Sequence, residues 1–252
     1  MNKPTQSTVC IIALLLGSIT FAHAQVNLSN WQIGVNAGVF IYQGDLTPAG
    51  FGSYNTLKPG FEFYISRILS PSLILRTNVA FSKLKGDDAK YDKPTWREQR
   101  NFNFTTPVTE ISELLVWNVF KNNGNETGKR FSPYLFGGAG LSFLKVNRDY
   151  SNLNTVFFDD DPSLLNGLNA DIARTPPKTI LVLPLGIGVE YYLSPTISLT
   201  AETNFRYTFT DYLDGFSEAA NPAKKDAYHS QTLGLVYKFG KKNTIGCPAM
   251  KY

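Results

Sequence analysis

The 252-residue chain carries 24 Lys and Arg against 20 Asp and Glu, a formal charge of +4 that is too small to point to a nucleic-acid partner. Charged residues make up 17%, whereas Phe contributes 18 residues, Tyr 13 and Met only 2, which is a β-rich, aromatic-heavy composition. The length suits one β-barrel or two small domains, and the aromatic content favours the first.

The N-terminus reads as a secretory signal over residues 1–24. Lys3 gives a positive start, Val9 to Ile19 form an apolar core, and Ala22-His23-Ala24 fits a small-x-small cleavage site. The mature chain is expected to begin at Gln25 with a formal charge of +3, Lys3 being lost. Residues 25–30 form a short lead. Removing the signal also removes Cys10 and His23, leaving Cys247 and His229. A Cys/His metal site, an intramolecular disulfide and a Cys–His nucleophile pair are therefore not expected, and no cofactor is implied. No later stretch approaches the roughly 18 to 20 unbroken apolar residues of a membrane helix, so a membrane would have to be crossed by strands.

From Trp31 onward the dominant period is two, the pattern of strands whose faces meet different environments. In the first strand Trp31, Ile33, Val35, Ala37, Val39 and Ile41 oppose Gln32, Gly34, Asn36 and Gly38. Phe61, Phe63 and Ile65 then oppose Glu62, Tyr64 and Ser66, and Leu73, Leu75, Val79 and Phe81 oppose Arg76, Asn78 and Ser82. A fourth strand falls in Phe104 to Phe120 without a clear choice of face. The fifth sets Leu135, Ala139 and Leu141 against Gly138, Gly140 and Ser142, and the sixth sets Leu183, Leu185 and Ile187 against Gly186, Gly188 and Glu190. Ile197, Leu199, Phe205 and Tyr207 oppose Thr200, Glu202, Asn204 and Arg206, and the eighth strand carries Leu233, Leu235, Tyr237 and Phe239.

Connections alternate in length. Leu69-Ser70-Pro71-Ser72 and the near-identical Leu193-Ser194-Pro195-Thr196 are tight turns, with a longer one at Lys121 to Arg130. Gln43 to Leu57, Lys83 to Gln99, Asn147 to Pro176 and Asp211 to Lys225 are long loops. Short turns at one end and long loops at the other predict an all-β fold, an eight-stranded antiparallel transmembrane up-and-down barrel over residues 31–240, with the turns periplasmic. The location implied is the outer membrane, with its lipid as the first partner. A soluble β-sandwich would share the alternation. Strands of about 10 residues or more, and aromatics such as Trp31, Trp117, Tyr191, Tyr207 and Tyr237 near strand ends, weigh against it.

Glu62, Arg76, Glu190, Glu202, Arg206 and Lys238 fall on the face opposite the apolar residues, and Glu110 is a further candidate. In an eight-stranded barrel that face is the filled interior, so acids and bases should pair there, Arg206 with Glu202 or Glu190. Carboxylate pairs can act as general acid and base, but groups inside a plugged lumen do not reach substrate, and no enzyme is expected. The loop acids Asp159-Asp160-Asp161 lack the ligand spacing of a calcium loop and read as solvated. His229 reads as an ordinary polar residue. The segment 241–252 forms a periplasmic tail with Lys241, Lys242, Cys247 and Lys251 as candidate partner contacts.

Gly44-Asp45-Leu46, Arg100-Asn101-Phe102 leading to Glu110, Pro133-Tyr134 followed by Gly137-Gly138-Ala139-Gly140, Thr210-Asp211-Tyr212-Leu213-Asp214, Tyr237-Lys238-Phe239-Gly240 and Gly246-Cys247-Pro248 resemble a family of small outer-membrane barrels of the Bacteroidota. That family is known largely as a domain of unknown function and includes the PorG-type component of type IX secretion. The resemblance covers nearly all of the mature chain. It implies an outer-membrane location and, for PorG-like members, attachment to periplasmic or lipoprotein components of the secretion machinery, with no catalytic residues carried over. Two functional classes stay open: an anchor for periplasmic partners, and a surface adhesion or ligand-binding barrel acting through its long loops.

Overall fold

The computed structural model describes residues 28–47, 50–123, 129–221 and 223–240. The predicted signal and the start of the lead lie outside the described residues, as does the tail with Lys241, Lys242, Cys247 and Lys251.

Eight long strands form the wall: β1 (Trp31–Gln43), β2 (Lys58–Ile68), β3 (Leu73–Asp87), β4 (Asn103–Asn118), β5 (Phe131–Leu144), β7 (Thr179–Tyr192), β8 (Ile197–Thr208) and β9 (Ala227–Lys238). A three-residue strand, β6 (Asn147–Asp149), pairs with the start of β4 above the wall. Every wall pairing is antiparallel; successive wall strands pair with each other, and β1 closes the sheet by pairing with the last strand, β9, as well as with β2. The registry runs Trp31, Arg67, Leu75, Leu115, Gly137, Leu185, Phe205, His229 and returns to β1 at Ile41, a shear of ten residues. Ten residues of shear over eight strands tilts them by about 40° to the barrel axis.

The two faces of this wall settle its environment. Outward positions such as Phe61, Phe63, Leu185, Ile187 and Leu233 are exposed, while inward ones such as Glu62, Asn78, Glu110, Glu202 and Arg206 are buried. A soluble sandwich has the reverse arrangement, since a continuous exposed apolar belt of this size would aggregate in water. Lipid is the medium in which such a wall is stable, and closure leaves no strand edge with unpaired backbone groups there. The chain is a membrane-spanning barrel of outer-membrane type.

At one end the turns are tight. Leu69 N–H donates to Leu73 O at 2.9 Å and Leu193 N–H to Ile197 O at 3.0 Å, and Ser70 and Ser194 accept from the backbone of Leu73 and Ile197 in the same way. The repeated Leu-Ser-Pro sequence thus builds the same turn twice.

The other end is more structured than the sequence indicates. β3 runs on to Asp87, past the expected loop start at Lys83. The second loop holds a short helix α1 (Trp96–Arg100), and the third holds α2 (Pro162–Ala173). Asp161 is not merely a solvated loop acid, because its carboxylate caps α2, accepting from the N–H groups of Ser163 and Leu164. β4 ends at Asn118 and turns its even-numbered residues inward. Its face is ambiguous in sequence because Phe104, Val108, Leu114 and Val116 are apolar yet buried inside, packed in two clusters at different levels of the lumen.

Candidate functional site

All seven charged residues read as interior lie on the inward face, and they form three levels. Nearest the turns, Lys238 Nζ lies 3.5 Å from Glu190 and 4.1 Å from the Tyr192 ring centre. Above it, Arg76 Nη1 meets Glu202 Oε1 at 2.7 Å, and the guanidinium stacks 4.2 Å over Tyr64. Tyr134 OH and Asn36 Nδ2 also donate to Glu202. At the third level Arg206 Nε donates to Glu110 at 2.7 Å and Nη2 to Glu62 at 2.8 Å, while Nη1 reaches Ser230 Oγ at 2.7 Å.

The pairing of Arg206 differs from the sequence expectation. Glu202 lies four residues away on the same strand face, about 13 Å at strand rise, and Glu190 sits at the bottom level. The partners come from β2 and β4 across the lumen instead. With both carboxylates held by one fully buried guanidinium, neither is free to act as acid or base toward a substrate.

Both mouths are occupied. At the turn end, Asn122 and Asn123 of the β4–β5 connection fold beneath the barrel. Tyr192 OH donates to Asn122 O at 2.9 Å, Lys238 Nζ to Asn123 O at 3.0 Å, and Asn123 N–H to Pro71 O at 3.1 Å. Just inside, a void beside Arg76 and Glu190 measures about 10 Å³, at the lower limit for one water.

At the loop end the four long connections fold into one cap. Asp88 is the hub of its first half: Arg97 Nη1 and Arg100 Nε each donate to it at 2.7 Å, and Arg97 Nη2 also reaches Asp45 O. Phe102 stacks on Phe216 with centroids 4.4 Å apart, and Leu46, Leu84, Leu168 and Leu213 pack into the same core. In the second half Asp171, from α2, accepts from the N–H groups of Ser217, Glu218 and Ala219 at 3.0 to 3.1 Å. Gly215 adopts φ +88°, a left-handed conformation that favours glycine.

Between the halves lies a proton-sharing arrangement. Tyr42 Oη is 2.7 Å from Asp214 Oδ2 and 2.8 Å from Asp226 Oδ1, and it accepts from Asp45 N–H at 2.9 Å. A phenol has one proton, so it donates to one carboxylate only, and the other contact requires the second Asp to be protonated. Burial pushes Asp214 and Asp226 well above the usual carboxylate range, and desolvation raises Asp211 to about 6. A Cβ at position 44 would lie 1.9 Å from Asp226 Oδ1 and 2.0 Å from Tyr42 Oη, so any larger residue there would displace this arrangement.

His229 is more than an ordinary polar residue on the surface. It points outward yet is buried, stacked 4.9 Å from Phe205 and covered by Tyr54, because the first loop folds down over the wall at β9. The sequence motifs Gly44-Asp45-Leu46, Arg100-Asn101-Phe102 and Thr210 to Asp214 meet in the cap, whereas nothing in their sequence positions indicates that they touch. Among the described residues no group of three or more His, Cys, Asp or Glu side chains could hold a metal ion.

No curated protein matches the sequence. Among solved structures, the chain is similar to Neisserial surface protein A, with 16% identity over 84% of this chain and 98% of that one and a TM-score of 0.48. It is also similar to Ail, the attachment invasion locus protein of Yersinia pestis, at 12% identity over 83% and 97% of the two chains and a TM-score of 0.44. The outer membrane protein OprG of Pseudomonas aeruginosa aligns at 10% identity over 84% and 97%, with a TM-score of 0.43. The family described as a domain of unknown function, DUF6089, matches residues 6–247, nearly the whole sequence, and the chain belongs to that family.

Proposed function

We propose that this protein is a non-conducting, non-enzymatic anchor in the outer membrane that holds periplasmic or lipoprotein components of the type IX secretion machinery, as the PorG-type resemblance implies. The observation that carries the reading is the filling of the barrel. Three levels of ion pairs occupy the lumen, Asn122 and Asn123 underlie one mouth and the packed cap covers the other. A plugged cylinder whose lumen glutamates are all paired is suited to being held in a membrane and gripped by partners.

The surface-binding reading has its own observation. Phe51, Val156 and Phe157 protrude from the cap, at 75%, 83% and 54% exposure, and apolar tips of this kind suit contact with another surface. Deleting the gene and following export of secreted cargo separates the two. Loss of secretion, restored by the full chain and by a chain with Val156 and Phe157 changed to Ser, supports the anchor. Normal secretion without the gene overturns it and leaves the surface-binding reading.

A further inference from the structure

Glu113 is the exception to the rule that governs the other strand carboxylates. Glu62, Glu110, Glu190 and Glu202 point into the lumen and are paired, whereas Glu113 points outward from β4 into the lipid-facing wall and is exposed. Its described polar contact is with Thr77 on β3, whose Oγ1 donates to Glu113 Oε2 at 2.8 Å. Along β4 its outward neighbours are Ile111 and Leu115, both exposed.

Its depth follows from the strand geometry. At about 3.3 Å per residue and a tilt of about 40°, each residue advances about 2.5 Å along the barrel axis. Trp117, at the turn-end margin, is four residues and so about 10 Å away. Lys83, six residues beyond Thr77, lies about 12 to 15 Å in the other direction. Glu113 therefore stands near the middle of an apolar band that is about 25 Å tall in barrels of this type. An ionisable group at that depth is costly on a lipid-facing wall and calls for a partner.

The surroundings leave the carboxylate accessible. Its registry neighbour on β5 is Ala139, with Gly137 two residues away, and Thr77 flanks it on β3, so small side chains border it on both sides. Lipid acyl chains offer no hydrogen-bond donor, and headgroup amines lie about 10 Å away at the band's margin. A second copy of this chain cannot supply the missing charge either. Copies inserted in the same direction match depth with depth, and the basic groups nearest on this wall, Arg67 and Lys83, lie at its margins.

We propose that the β3–β4–β5 wall is a lateral docking surface within the membrane, and that its occupant is a transmembrane segment of a different protein presenting a Lys or Arg side chain to Glu113. Small residues at the contact let the two backbones approach, and the buried ion pair fixes the depth and rotation of the partner. An ion pair formed in lipid also offsets the penalty that the isolated barrel carries at this position.

The test uses the full chain in living cells with a photo-crosslinking amino acid at position 139. The expected result is an adduct to one other membrane-spanning protein, mapped to a peptide that contains Lys or Arg within the span. The adduct should fall at least tenfold in Glu113→Leu and Glu113→Lys while heat-modifiable barrel persists. In parallel, Glu113→Leu refolded alone into phosphatidylcholine vesicles should unfold at a higher urea concentration than the unchanged chain. An adduct twice the mass of this chain, adducts to lipid alone, an adduct insensitive to Glu113→Leu, or a urea midpoint for Glu113→Leu equal to or below that of the unchanged chain would each overturn the proposal.

Discussion

Replacing Arg206 with Ala is the sharpest probe of the plug. The side chain is fully buried and makes ion pairs to Glu62 and Glu110 at 2.8 and 2.7 Å, with its guanidinium 4.9 Å from the Phe40 ring centre. Truncation leaves two buried carboxylates without their cation in the filled lumen. Removing one member of a buried pair costs about 3 to 5 kcal/mol, and two stranded acids place Arg206→Ala at or above the upper end. For a urea slope of about 2 to 3 kcal/mol/M, the unfolding midpoint falls by roughly 1 to 2.5 M. The assay is urea unfolding in vesicles, followed by tryptophan fluorescence and by heat-modifiable gel mobility. A triple variant, Arg206→Met with Glu62→Gln and Glu110→Gln, removes the stranded charges and should recover most of the loss, because a buried ion pair is often replaceable by neutral groups of similar volume. A midpoint for Arg206→Ala within 0.2 M of the unchanged chain, a margin set at roughly 0.5 kcal/mol on that slope, would refute the reasoning, as would a triple variant no better than the single one.

Gly138→Ala should destabilise the wall by about 1 to 3 kcal/mol, because its Cβ would lie 1.9 Å from the Glu113 carbonyl oxygen, a backbone atom that cannot move aside without breaking the β4–β5 ladder. Equilibrium unfolding of the refolded variant measures this. The cap should be tighter in mild acid than in alkali. Asp211, Asp214 and Asp226 have folded values raised by burial, so the folded cap binds protons that the opened loops release. Its extra stability is complete below about pH 4 and is lost as the pH rises through about 6 for Asp211 and through the raised values of Asp214 and Asp226. A cysteine at the buried position 219, with its reaction rate corrected for thiol ionisation, should be better protected at pH 5 than at pH 8, and Asp226→Asn should flatten the difference. Orientation is tested by labelling: a cysteine at Val156 should react in intact cells, and one at Ser194 only after permeabilisation.

The wall was legible in the sequence because a strand has a period of two. Each strand need only sort its side chains between lipid and lumen, and alternation in β1, β2, β8 and β9 records that sorting residue by residue. The same property made Glu62, Arg76, Glu190, Glu202, Arg206 and Lys238 readable as interior. Local turn chemistry did the rest, in the two Leu-Ser-Pro turns. β4 resisted because its lumen-facing side carries Phe104, Val108, Leu114 and Val116 while its outward side carries Glu113, so neither face is the polar one.

Alternation gives a face but not a partner. Arg206 meets Glu110 and Glu62, 96 and 144 residues away in sequence, because a shear of ten residues brings β2, β4 and β8 to one level of the lumen. Only closure of the barrel decides that. The cap is likewise tertiary: Asp88, Asp171, Asp214 and Asp226 look like ordinary loop acids until four loops fold together, and burial then makes each one a hub of hydrogen bonds or a holder of a proton. The sequence by itself determined that this chain lines a lipid wall with apolar side chains and fills it with charge. Which charges meet, and that one carboxylate faces the lipid instead, was decided by the three-dimensional register, since those contacts join strands that no local pattern relates.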